Sequence, residues 1–301
     1  MISLGTNSTR LLVVEGEPDV KAIVHETRGT RLGAGLRDGG RFDPQARART
    51  VAAVEAYAAI ARNHGAPIRV IATSAMRRAD DARDLSERIG AMTDARVEIL
   101  SGAEEARYSF LGATYGRAAG GGRVGVLDVG GGSSEYACGA IDDSSALVTR
   151  SIEIGAVRAG ERFADLLGAR ALDADESRAL ENAVRASVRR ALTSLAQTPR
   201  VACVYGVGGT VMTAAAIVHD RPREMATGLT IERGNLSSLA RRLICQTRDE
   251  RLATPRMNPQ RADILPAGLL IVDEACAMLD VDRVESSAGD LLLGSLIAPG
   301  R

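Results

Sequence analysis

The chain has no tryptophan, and aromatic residues make up only 3% of it. A core must be assembled from Ala, Val, Leu and Ile, and a surface that stacks on bases has little to build with, so nucleic acid is not an expected partner. Lysine is also nearly missing: Lys21 stands against a field of arginines. No G-x-x-x-x-G-K-[ST] loop can exist, which excludes a P-loop enzyme. The cysteines Cys138, Cys203, Cys245 and Cys276 are far apart with no C-x-x-C, and His25, His64 and His219 do not cluster. This pattern excludes a zinc ribbon or a disulfide framework and leaves reduced thiols as the expectation. There is no signal-peptide pattern and no apolar run of about 18 residues, so no membrane partner is expected and the cytoplasm is the expected location. Net charge is zero. Attraction for a polyanion must come from local clusters and not from a global field.

What is present is enough for two domains: 301 residues, 45% hydrophobic and 25% charged, at about 100–200 residues per domain. Strand-like and helix-like segments alternate, the signature of α/β layers. Strands are expected at Leu11–Val14, Ile68–Ala72, Val97–Leu100, Val124–Val129, Tyr136–Gly139 and Val201–Tyr205. Asp43-Pro44 supplies an N-cap and an N1 proline for a helix to about Asn63. Further helices are expected over Ala79–Ile89, closed by Gly90, over Ala103–Tyr115, over Asp175–Leu195 and from about Thr210. Two or three more fill Gly234–Ile297. The run Ala118-Ala119-Gly120-Gly121-Gly122 reads as a linker. It divides the chain into domains 1–118 and 119–301, with the last helix able to pack back on the first.

The two halves open alike. Ser3-Leu4-Gly5-Thr6-Asn7-Ser8-Thr9-Arg10 aligns with Asp128-Val129-Gly130-Gly131-Gly132-Ser133-Ser134-Glu135. Each is a strand, a turn of small residues and a second strand, which suggests two copies of one α/β unit facing across a cleft. Glycines let backbone approach a ligand, and some adopt positive φ. Successive N–H groups then form an anion-binding nest. Two plain hairpins would give the same pattern. The duplication, and a third glycine turn at Gly206-Val207-Gly208-Gly209-Thr210, favour phosphate cradles.

Candidate chemistry lies beside these turns. Asp128 ends an apolar strand, where a carboxylate suits a hard cation near phosphates or the stabilisation of its own turn. Ser101 and Glu104 fit a capping box. Glu105 lies about 100° further round the helix; it could activate a water or simply face the helix dipole. Glu135 could hold a metal-bound water or stand exposed on a strand. Arg77, expected on a loop after a strand, is a candidate phosphate fork.

These segments, taken in order, resemble the exopolyphosphatase/guanosine pentaphosphate phosphohydrolase family in its short, two-domain form. The resemblance is carried by Gly5-Thr6-Asn7-Ser8, Arg31-Leu32-Gly33 and Ala72-Thr73-Ser74-Ala75-Met76-Arg77. It continues through Ser101-Gly102-Ala103-Glu104-Glu105-Ala106, Ile154-Gly155-Ala156-Val157-Arg158 and Gly208-Gly209-Thr210. Its most specific part is the D-x-G-G-G-S-x-E loop at Asp128–Glu135. The resemblance implies an α/β, actin-like ATPase fold: two ribonuclease-H-like domains with the site between them. It implies release of terminal phosphate from inorganic polyphosphate, or of the γ-phosphate of guanosine pentaphosphate, with Mg²⁺. By position it implies Glu105 as catalytic base, Asp128 and Glu135 as metal or water ligands, and Arg77 as phosphate clamp. Gly5, Thr6, Asn7, Ser8, Gly130, Gly131, Gly132, Ser133, Gly208, Gly209 and Thr210 would contact substrate, and a homodimer is the expected assembly.

Two positions depart from the family pattern. Ser3 stands where the first loop carries Asp, and Gly289-Asp290-Leu291-Leu292-Leu293-Gly294 replaces a G-L-R-E-G-like run. Ser3 keeps open a second class of function, a degenerate binder of polyphosphate or guanosine tetraphosphate with little or no turnover. A sugar or acid kinase on the same fold is disfavoured by the combined motifs.

Overall fold

A computed structural model describes residues 1–16 and 19–298. The first half runs β1 (Ile2–Leu4), β2 (Thr9–Glu15), β3 (Lys21–Arg28), α1 (Pro44–Asn63), β4 (Val70–Ala72), α2 (Ser74–Arg78), α3 (Ala82–Thr93), β5 (Val97–Ile99) and α4 (Gly102–Thr114). The second half begins with β6 (Val124–Val129), β7 (Ser134–Ala140), β8 (Asp143–Ile152), α5 (Ala156–Arg162), α6 (Ala174–Ala191), β9 (Val204–Val207) and α7 (Gly208–Val218). It closes with β10 (Thr230–Glu232), α8 (Arg233–Ile244), α9 (Arg248–Leu252), α10 (Leu265–Met278), β11 (Arg283–Ser286) and α11 (Leu291–Ile297).

The first sheet has the order β3-β2-β1-β4-β5, and the second β10-β11-β9-β6-β7-β8. In each, three strands meander antiparallel and the first of them then pairs in parallel with a later strand. Reading β8-β7-β6-β9-β11 against β3-β2-β1-β4-β5 superimposes one half on the other. This doubled ribonuclease-H-like arrangement is the actin-like ATPase fold. The duplication extends to single bonds: Gly5 N–H donates to Ser8 O at 3.0 Å, and Gly130 N–H donates to Ser133 O at 3.1 Å.

Local chemistry sets most element ends. Asp43 accepts from Ala46 N–H ahead of Pro44. Ser101 and Glu104 form a reciprocal capping box on α4, as do Asp173 and Glu176 on α6. Helix α3 runs through Gly90 to Thr93 and is closed instead by Asp94 in the left-handed conformation. The strand expected at Val201–Tyr205 forms over Val204–Val207, and Arg77 lies on the short helix α2 and not on a loop. The strands β3 and β8 had no sequence signal. Both are edge strands with largely exposed or half-exposed residues, so a clean alternation is not imposed on them. The strand β11 sits in a stretch expected to be helical. Only four residues long, it is specified by its place between β9 and β10.

The last element before the glycine-rich 118–122 stretch crosses between the halves. Helix α4 buries Ala106, Phe110 and Ala113 against Val124, Val126, Ala137, Tyr205 and Val207 of the second sheet. Helix α11 in turn packs with Met1, Leu12, Ile71 and Tyr108, tying the C-terminus to the first sheet and to α4. The α4–α11 contact is made backbone to backbone. A Cβ on Gly294 would lie 1.8 Å from Tyr108 O, and one on Gly112 would lie 2.0 Å from Asp290 O. The run Gly289–Gly294 is therefore a packing surface whose glycines are required.

Two glycine substitutions should move stability in opposite directions. Gly294→Ala forces these helices apart and should destabilise by about 1–3 kcal/mol. Gly90→Ala adds a Cβ at an ordinary 3.4 Å contact within a helix and should stabilise by roughly 0.5–1 kcal/mol. Thermal melts of both variants check this; equal shifts would contradict the packing described.

Candidate active site

The matched hairpins bring their turns face to face. Turn 5–8 joins β1 to β2, turn 130–133 joins β6 to β7, and both line one narrow cleft. Space, not dihedral angle, requires the glycines: Gly5, Gly130, Gly131 and Gly132 are absent from the positive-φ set, whereas Gly208 has φ +79°. A Cβ on Gly132 would lie 2.6 Å from Thr6 Oγ1 and 2.7 Å from Ser74 Oγ, and one on Gly131 would lie 3.1 Å from Asn7 N.

Each turn is held by its carbonyls from behind. Arg31 N–H donates to Asn7 O and Gly33 N–H to Thr6 O. Ala156 N–H donates to Gly130 O, and Val157 and Arg158 N–H donate to Gly131 O. The segments Arg31-Leu32-Gly33 and Ile154–Arg158 are thus clamps on the two turns. With the carbonyls turned away, the amides of Thr6, Asn7, Gly131 and Gly132 make no backbone hydrogen bond among the described residues. Ser74 Oγ and Asn7 Oδ1 are buried without partners among the same residues. Such orphaned groups suit a polar ligand.

Register delivers the charged side chains. Ser3 opposes Arg10, and in the copy Asp128 opposes Glu135; all four line the cleft. Glu105 reaches the same wall from α4 and is 5% exposed. One turn along the helix, Ser109 Oγ donates to Asp128 at 3.1 Å. Ser151 Oγ donates to Glu135 at 3.0 Å. Burial pushes the Glu105 carboxyl up to about 7, against the opposing pull of Arg77. Burial, then the neighbouring Glu105 and Asp128, hold Glu135 well above the usual range. Asp128 is raised by burial in spite of Arg10. Glu105 is paired with Arg77, but Asp128 and Glu135 have no salt bridge among the described residues, and both are raised by burial.

That imbalance fits a hard divalent ion. Among the described residues no three His, Cys, Asp or Glu side chains form a ready-made metal cluster. Mg²⁺, however, commonly takes only one or two carboxylates and keeps its waters. The oxygen donors Asp128 and Glu135 meet that requirement.

Two expected residues lie off the cleft wall. Arg77 sits behind it, its guanidinium bonded to Glu105 and, at 2.7 Å, to Leu100 O. Thr210 lies inside α7, where its hydroxyl donates to Val129 O and packs against Gly268. Gly208 and Gly209 do line the cleft, where they form the start of α7 and not a free turn.

The structure adds two arginines that no motif flagged, Arg223 and Arg261, to Arg10 of the first repeat. Arg10, Arg223 and Arg261 line the cleft. Arg261 lies against Gly209, where a Cβ would be 2.0 Å from the guanidinium. Its pKa is pushed down to about 9 by burial, then by Arg223 and Arg10. Arg223 and Arg261 have no carboxylate within salt-bridge distance among the described residues, and Arg10 pairs with Asp290 at the N-cap of α11. Arginine is so common in this chain that only tertiary placement singles out Arg223 and Arg261. Beyond Arg223 the cleft continues into a cavity of about 440 Å³ that includes His25, Thr27 and Ser287 and no Phe, Tyr or Trp.

Comparison with known proteins places the chain by family and fold. The model of the Ppx/GppA phosphatase family matches residues 12–298. Exopolyphosphatase 2 of Mycobacterium tuberculosis is 32% identical over 321 aligned positions, covering 97% of this chain and 95% of that protein. An exopolyphosphatase crystal structure from Cytophaga hutchinsonii superposes with TM-score 0.84 at 25% identity, covering 98% of this chain and 95% of that one. The Aquifex aeolicus Ppx/GppA family member has the same fold, with TM-score 0.79 at 23% identity, covering 99% and 95%.

The mutual repulsion has a measurable consequence. A carboxyl whose folded pKa exceeds its unfolded value holds its proton more tightly when folded. Stability therefore falls as pH rises from about 4.5 to the folded value, about 7 for Glu105. Glu135→Gln removes one buried charge while keeping an acceptor for Ser151. In metal-free buffer at pH 7.5 it should raise the melting temperature and flatten that pH dependence. A lower melting temperature at every pH would show that the charge is compensated in solution.

Proposed function

The chain belongs to the Ppx/GppA phosphatase family, and from that premise we propose that it is an exopolyphosphatase releasing terminal phosphate from inorganic polyphosphate by water attack. The observation that carries the reading is Glu105. It is a buried carboxyl whose proton affinity lies near neutrality, on the wall that also holds both glycine turns. A general base works best when its pKa is close to the working pH.

In this reading the amides of turns 5–8 and 130–133 hold the terminal phosphates, and Ser74 supplies a further hydroxyl. Arg10, Arg223 and Arg261 neutralise the following phosphates, guiding the chain toward the adjoining cavity. Glu105 takes a proton from the attacking water as the water oxygen bonds to the terminal phosphorus. The bridging oxygen leaves with the shortened chain, and orthophosphate departs. Mg²⁺, held by Asp128 and Glu135, would offset negative charge at the phosphates and position water. Arg77 orients Glu105 from behind. Guanosine pentaphosphate is the secondary substrate, since the adjoining cavity offers a base no Phe, Tyr or Trp ring and only His25 to stack on.

Phosphate release from medium-chain polyphosphate, with and without Mg²⁺, tests the assignment directly. Glu105→Gln should lower the rate by about 10²–10⁴-fold and leave calorimetric polyphosphate binding nearly intact. Glu104→Ala, which removes the reciprocal half of the capping box, should cost up to about 1 kcal/mol of stability and little activity. Equal activity losses in the two variants would misassign the base.

Ser3 bears on the second reading, a binder with little turnover. It is 1% exposed in the cleft wall, opposite Arg10. A carboxylate introduced there would have Arg10 as a neighbour, which lessens the cost of burying it. Ser3→Asp should raise the rate and lower the Mg²⁺ concentration needed for half-maximal activity. Unchanged or lower activity across a Mg²⁺ series, with polyphosphate binding retained, would favour the binding role.

A further inference from the structure

A second cavity, of about 430 Å³, lies where the 36–38 loop and Arg78 of the first half meet α5 and α6 of the second. It shares no lining residue with the cleft. Its walls carry Arg37, Arg78, Arg158 and Arg162 against Asp38, Glu153 and Glu161, a surplus of one cation. The carboxylates are already engaged. Asp38 accepts from Arg78 Nε at 2.5 Å, Glu153 accepts from Arg158 at 2.6 Å, and Glu161 accepts from Gly35 N–H at 2.7 Å. Arg37 and Arg162 have no carboxylate within 4.0 Å among the described residues.

Arg78 points to what is missing. Its side chain is only 10% exposed, and its Nε and Nη2 donate to Asp38 and to Leu36 O. Its Nη1 is buried with no hydrogen-bond partner among the described residues. A buried guanidinium nitrogen left without an acceptor is costly, and charged donors are the most costly of all. Arg37 from the 36–38 loop and Arg158 and Arg162 from α5 line the same cavity, a setting that suits a tetrahedral oxyanion accepting from several sides.

The cavity is wired to the base. Glu153, on its wall, lies 4.0 Å from Arg77 Nη2, and Arg77 holds Glu105. We propose that this interdomain cavity binds a small phosphoanion such as orthophosphate or pyrophosphate and that Glu153 and Arg77 transmit its occupancy to Glu105. The anion competes with Glu153 for Arg158. Glu153, released, strengthens its pairing with Arg77, and Arg77 loosens its hold on Glu105, freeing the carboxylate oxygen that Arg77 occupies to accept the proton of the attacking water. The coupling rests on the proposed role of Glu105; the anion site does not.

Calorimetric titration of the full chain with orthophosphate tests the site. Arg261→Gln weakens the cleft and should leave the cavity's binding in place. Arg37→Gln/Arg162→Gln, both at exposed positions, should weaken the cavity's binding by about tenfold or more. Phosphate affinity and stoichiometry unchanged in the double variant would overturn the site. Phosphate binding lost only in the double variant, with no polyphosphate bound or hydrolysed by the wild type, would uphold the site while sinking the proposed function. For the coupling, added orthophosphate should raise kcat of the wild type, with product competition appearing only in KM. Glu153→Gln should abolish the kcat response, and an undiminished response in that variant would overturn the relay.

Discussion

The site depends on how closely two glycine turns approach each other. Gly131 and Gly132 lie against Asn7, Thr6 and Ser74 at distances that leave no room for a Cβ. Clamps on their carbonyls fix both turns. With the carbonyls pulled back, the amides of Thr6, Asn7, Gly131 and Gly132 stay free of backbone partners on turns that line the cleft, a field of donors without any lysine. The two sheets must be oriented to meet this contact, and α4 and α11 supply the bracing. The missing Cβ atoms at Gly112 and Gly294 let these helices touch backbone to backbone, which puts Glu105 on the cleft wall and Asp290 beside Arg10.

The same closeness creates electrostatic tension. Free amides and arginines line the same cleft as Glu105, Asp128 and Glu135, and burial raises all three carboxyls. A cation beside a polyanion relieves both imbalances at once. Stability given up at such a site is stability that binding can restore, so the unfavourable burial is consistent with a binding role and not with a packing defect. The second half uses its charges differently. On α10 the buried Asp273 and Glu274 are fully answered by Arg185, Arg189 and Arg233. No unsatisfied arginine or acidic group of that network calls for a ligand.

Much of this was legible in the chain itself. The paired turns, the capping box at Ser101, the proline-started α1 and the separation of Glu104 from Glu105 all follow from short-range rules of backbone sterics and hydrogen bonding. The duplicated motif announced two facing units, and the order of its parts announced the family. Edge strands such as β3 and β8 left no pattern, because exposure on both faces imposes none. Gly90 misled because a helix held by tertiary contacts tolerates an internal glycine.

Other features were decided only in three dimensions. Arg223 and Arg261 are two among dozens of arginines until the chain brings them to Arg10 of the first repeat. Arg77 follows a recognisable motif, yet its partner is Glu105 and its place is behind the wall. Thr210 belongs to a glycine-rich run, yet helix α7 turns it into the core. The proton affinity of Glu105 is a property of its burial, and burial is set by what α4 packs against. Sequence determined the turns, the caps and the residue types available for chemistry, because those depend on neighbours along the chain. The charge balance of the cleft was left to the tertiary structure, because Coulomb interaction and desolvation depend on distance through space and not on position in the chain.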